Sequence, residues 1–85
     1  ASVKDGTVYV NGKKFIKPAA TYSMSSAERS YFILGNLAAA YQNGHSKQPA
    51  TASGGTLYLG PQNIMTPVNG DPSAEELAAQ LNKIK

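Results

Sequence analysis

The chain contains no cysteine, which excludes disulfides and thiolate metal sites and leaves packing or oligomerisation as its sources of stability. It has a single histidine, His45, in a stretch of small and polar residues. One histidine without cysteine cannot assemble a zinc site. No apolar run approaches the roughly 20 residues that cross a bilayer, and the longest is not N-terminal as a secretory signal would be. The chain therefore reads as soluble, with no membrane span. It starts at Ala1 rather than Met, which fits either removal of an initiator Met or cleavage of a precursor.

Catalytic groupings are missing as well. No serine lies in a G-x-S-x-G elbow, and His45 is the only candidate base. Each of the five acids has a local explanation: Asp5 as a turn residue, Glu28 and Asp71 as helix caps, Glu75 and Glu76 as first-turn acids. Nothing remains for a paired-carboxylate site. Neither a P-loop nor a G-x-G-x-x-G fingerprint occurs. The reading is of a protein that is not an enzyme, with no cofactor, no metal and no evident small-molecule substrate.

What is present begins with two hairpin signals, Asp5-Gly6 and Asn11-Gly12, each a pair that tolerates the positive φ of a type I′ turn. They predict a three-strand meander over the first seventeen residues. Two-residue turns place Val10 opposite Lys13, Val8 opposite Phe15 and Val3 opposite Val8, so Val3, Val8 and Phe15 form the core face. Thr7, Tyr9, Lys14 and Ile16 fall on the other face. Lys17-Pro18 ends the third strand.

Ser25 and Glu28 have capping-box spacing. They predict a helix from Ser26 to about Gln42, stopped by Asn43-Gly44. Ile33, Leu34, Leu37, Ala38 and Tyr41 are expected to form its core stripe, with Tyr31, Phe32 and Ala39 widening the apolar surface around the sides. Gly35 and Ala39 are spaced to let another backbone approach. Residues 42–55 have no apolar periodicity and read as a flexible loop or arm. Thr56 to Leu59 alternates as a fourth strand, and Ile64 and Met65 suit a short extended segment. A last helix starts with Asp71 as cap before Pro72, or with Ser73 and Glu76 as a capping box. Its stripe is Leu77, Ala78, Leu81 and Ile84. No internal repeat is apparent.

The expected fold is α+β in a single small domain, residues 1–85. A small antiparallel sheet, made of the N-terminal meander plus the later strand, packs with a central apolar helix and a C-terminal amphipathic helix. Eighty-five residues lie near the size at which burial only just outweighs conformational entropy.

Two functions follow from what is left over. One sheet face covers only part of so apolar a helix. Tyr31, Phe32, Ala39, Tyr9 and Ile16 are therefore candidate protein-interface residues. They point to a structural or assembly protein that self-associates or docks on a larger oligomeric complex, such as a virus or phage particle. The alternative rests on charge, +4 over residues 1–50 and −1 over residues 51–85. Lys13, Lys14, Lys17 and Arg29 would then contact an anion, making a small nucleic-acid-binding or regulatory protein.

Overall fold

Asp5-Gly6 and Asn11-Gly12 have φ of 52° and 75°, and of 52° and 76°, the positive pairs that two-residue type I′ turns need. In this computed structural model, which describes residues 1–85, they fold the N-terminus into β1 (Ser2–Lys4), β2 (Thr7–Val10) and β3 (Lys13–Ile16). Val3 faces Val8, Tyr9 faces Lys14 and Val10 faces Lys13, the register that the turns dictate. Between Val8 and Tyr9 the register slips, and Val8 faces Ile16 rather than Phe15. The extra residue of the bulge bends β3. Phe15 and Ile16 are consequently both buried. Ile16 is only 3% exposed, so its expected place on the outer face beside Tyr9 is corrected.

α1 (Ser26–Gln42) follows, and then a second set of strands: β4 (Ala50–Ser53), β5 (Thr56–Leu59) and β6 (Gln62–Met65), before α2 (Ala74–Ile84). The strands form two separate antiparallel sheets, ordered β1-β2-β3 and β4-β5-β6. The expectation of one sheet with a single added strand is corrected here. Thr56 to Leu59 is the middle strand of its own meander, and half of the supposed arm at residues 42–55 is β4 and its turn. The remaining connection, residues 43–49, is tied down by His45 N–H donating to Ala40 O, Gln48 N–H to His45 O and Gly60 N–H to Pro49 O.

The two sheets are built alike, which reveals an internal repeat that the sequence does not announce. Thr7-Val8-Tyr9-Val10 corresponds to Thr56-Leu57-Tyr58-Leu59, and Pro18 to Pro67. The second sheet slips register between Leu57 and Tyr58, the same place as in the first. Its bulge likewise buries two successive residues, Ile64 and Met65. Each meander leads through a loop to a helix with a complete capping box, Ser25 with Glu28 and Ser73 with Glu76.

The halves do not sit side by side. α1 packs on β1 and β2 of its own sheet and on β6 of the other, while α2 packs on β4 and β5 and on β3. Each helix thus covers the third strand of the opposite sheet. One apolar cluster results, drawing Val8, Val10 and Phe15 from one sheet, Leu57, Leu59 and Ile64 from the other, and Leu37 and Leu81 from the helices. Side-chain amides seal the exchange: Asn36 Nδ2 donates to Ile64 O at 2.9 Å, and Gln80 Nε2 to Lys14 O at 3.4 Å. At the sheet edge, Asn82 accepts from Ala50 N–H and donates to Ala50 O, at 2.8 and 3.0 Å, imitating a neighbouring strand.

The buried stripe of α1 is Arg29, Ser30, Ile33, Leu37 and Ala40. It is rotated from the expected one, leaving Leu34 and Tyr41 half-buried and Ala38 exposed. The rotation has a polar cause. Ser30 Oγ satisfies itself on Ala27 O at 2.6 Å, and Arg29 turns inward to Asp71. Arg29 Nη2 lies 2.8 Å from Asp71 Oδ2 and Nη1 donates to Asp71 Oδ1 at 3.2 Å. Nη1 also donates to Ala19 O at 2.7 Å. Asp71 accepts in addition from Ala19 N–H and Val68 N–H, at 2.7 and 3.0 Å. Asp71 is therefore not the cap of α2, a role taken by Ser73. It clamps the β3–α1 loop to the β6–α2 loop.

Burial works to raise the Asp71 pKa, but the hydrogen bonds from Arg29, Ala19 and Val68, with the Arg29 charge, outweigh it and hold the carboxyl below its ordinary value. A depressed carboxylate stabilises the fold above its unfolded pKa of about 3.9, and that stability is lost as pH falls through the folded value. Thermal melts should hold level from neutrality to about pH 4.5 and fall below it. Asp71→Asn leaves Arg29 buried without its counter-charge and should cost about 3–5 kcal/mol at neutral pH while flattening the acid slope; an unchanged slope would show that the clamp is not its source. Asn82→Ala should cost about 1–2 kcal/mol in denaturant melts, with faster hydrogen exchange at Ala50.

Candidate protein interface

The face of α1 turned away from both sheets is where the structure departs most from a finished monomer. Its exposed positions include Ala27, Tyr31, Phe32, Gly35 and Ala38. Tyr31 is 62% and Phe32 67% exposed, and the face carries one charge, Glu28. The two rings stand there because the helix is phased by Arg29, Ser30 and Ile33 on its inner side. With those three facing the core, a 3.6-residue repeat must send residues 31 and 32 outward. Ala39, flanking them, is half-buried.

Tyr22, which sequence reasoning passed over, is fully exposed in the loop ahead of α1. It sits at the apex of a tight turn closed by Thr21 N–H donating to Met24 O at 2.8 Å and Met24 N–H donating to Thr21 Oγ1 at 3.0 Å. A signal was available: an aromatic residue in a Ser-rich loop just ahead of a helix cap has no element of its own to cover it.

Two shallow depressions flank the rings. One, of about 280 Å³, runs between α1 and β6 past Met24, Phe32, Asn36, Asn63 and Met65. The other, of about 320 Å³, is bounded by Glu28, Tyr31 and Phe32. Glu28 is held in its capping box, donated to by Ser25 N–H at 2.8 Å while its own N–H donates to Ser25 Oγ at 3.1 Å. The Ser25 backbone bond first, and the Ser25 side chain second, lower the Glu28 pKa, so it remains ionised beside the rings.

Gly35 is the least expected residue here. A glycine inside a helix costs about 0.5–1 kcal/mol relative to alanine, and such a cost is usually offset by a close approach. Within this chain there is none: a Cβ at Gly35 would meet no atom within 4 Å. The open space lies on the same face as Tyr31 and Phe32.

The other candidates are scattered. Tyr9 is half-buried and Ile16 is in the core. Lys13, Lys14 and Lys17 are exposed on β3 and its exit, but Arg29 is committed to Asp71 and is not free to meet an anion. Phe15 is buried, so of the two rings in this sheet only Tyr9, opposite Lys14, is partly exposed. No three His, Asp or Glu side chains come together as a metal-binding group, and no helix is long and apolar enough to cross a membrane.

Comparison with protein-family models, with curated proteins and with solved structures finds no match to this chain.

Proposed function

We propose that this is a non-catalytic structural or assembly protein, and that the outer face of α1 is the surface by which it self-associates or docks on a larger oligomeric complex. The observation that carries this reading is the combination of Tyr31 and Phe32, both about two-thirds exposed, with a mid-helix glycine that nothing in the chain approaches. Exposed rings in a cluster are characteristic of contact surfaces. Enzymatic readings have less to draw on, because the ionisable side chains held by specific contacts serve structure: Arg29 and Asp71 the loop clamp, Glu28 and Glu76 the caps.

A particle component, viral or otherwise, is the kind of protein that this reading describes. Such a protein needs a rigid body that presents one patch. The reciprocal packing of α1 and α2 makes the body, and α1 presents the patch.

The double variant Tyr31→Ser/Phe32→Ser changes only exposed side chains and should leave stability within about 0.5 kcal/mol per site, while abolishing incorporation into the native complex. A photoreactive phenylalanine analogue at position 32, in cells expressing the protein in its native setting, should give a discrete protein adduct. A folded protein that yields no adduct under illumination overturns the proposal.

A further inference from the structure

We infer that the occupant of the α1 face is a second copy of the same chain, paired antiparallel about a two-fold axis that passes through Gly35. This rests on the reading of α1 as a contact surface and names its partner.

The order of residues along the face is self-complementary. Tyr31 stands four positions before Gly35 and Ala39 four after; Phe32 stands three before and Ala38 three after. In an antiparallel pair crossing at Gly35, each residue meets the one equidistant on the other side. Both rings of each copy then lie over the small residues of its mate, and the contact is made twice, as an isologous interface requires. Glu28, seven positions before Gly35, meets Gln42, seven after. A parallel pair would instead set ring against ring and Glu28 against Glu28. The absent Cβ at Gly35 lets the two helix backbones come close at the crossing, as small residues do wherever helices pack tightly.

The area is sufficient. An aromatic side chain offers roughly 150–250 Å². Tyr31 and Phe32 are about two-thirds exposed, so the two rings offer on the order of 200–330 Å² per copy. Pairing doubles this, and the other exposed positions of the face, Ala27, Glu28, Gly35, Ala38 and Gln42, bring it towards the approximately 1,000 Å² that a specific interface needs. The face opposes no like charges in this arrangement, since Arg29, the one cation on α1, is turned inward to Asp71.

Sedimentation velocity on the full chain tests this. The wild type should sediment as a dimer in the micromolar range. Phe32→Ser removes a contact made twice and should weaken the dimer on the order of a hundredfold. Gly35→Leu should do the same by filling the crossing point. Its side chain enters open space in the single chain, so circular dichroism and the melt of the dilute monomer should stay native. Orientation is read by disulfides, which the cysteine-free chain makes unambiguous. Separately prepared Glu28→Cys and Gln42→Cys proteins, mixed and oxidised, should link to each other rather than to themselves. A wild-type chain that is monomeric throughout, or a folded Gly35→Leu that still dimerises, overturns the inference, and self-linked products alone overturn the antiparallel arrangement. The adduct at position 32 separates this from the broader reading: an adduct with another protein ends the second-copy proposal and leaves the contact surface standing, whereas no adduct ends both.

Discussion

The ion pair between Arg29 and Asp71 is the constraint on which the rest of the molecule is hung. It joins residues 42 apart in sequence, one from each half, and it is nearly inaccessible to water, with side chains 9% and 0% exposed. A buried pair is not by itself a strong source of stability, because desolvation offsets much of the Coulombic gain. Its importance here is geometric. The Ala19 and Val68 backbone groups around it are satisfied in one arrangement of the two strand-to-helix loops, and no buried side-chain nitrogen or oxygen is left without a partner. The pair also sets the rotation of α1 about its axis. Since Arg29 must face inward, Tyr31 and Phe32 must face out.

That chain of consequence links the core to the surface. A monomer optimised in isolation would place small or polar residues where Tyr31 and Phe32 stand. The corresponding stretch of α2 does so: counting from the capping serines, Ala79 and Gln80 fall where α1 has Tyr31 and Phe32. Gln80 reaches across to the Lys14 carbonyl, whereas Phe32 borders an open depression. The two halves share a scaffold and differ in what they show to solvent. The internal repeat thus supplies its own comparison, and the asymmetry lies in α1.

Much of the local structure was legible because it is written in short-range chemistry. The Asp5-Gly6 and Asn11-Gly12 turns, the Ser25–Glu28 capping box and the extent of α1 each depend on residues within four positions of one another. The two bulges were not legible, since an alternating pattern reads the same with or without an inserted residue, and Ile16 was therefore assigned to the wrong face. β4 was hidden because Ala50, Thr51, Ala52 and Ser53 are small residues without an apolar alternation, of which only Ala50 is buried, beneath the α2 that packs on the strand. The Arg29–Asp71 pair was masked by plausible local roles for each partner: a free cation and a helix cap. The exposed aromatic flank of α1 could be anticipated from the excess of apolar residues over available cover, and Tyr22 from its place in a Ser-rich loop just ahead of a helix cap.

Reciprocal helix packing has a further consequence for how the chain comes apart. In repeat proteins whose units merely stack, a terminal unit can melt while its neighbours persist. Here the loss of either helix uncovers strands in both sheets, so neither meander has a partially unfolded state in which it stays intact by itself. The slowest-exchanging amides of the two sheets therefore belong to one cooperative unit, opening together with the free energy of the whole molecule rather than as two foldons of separate stability.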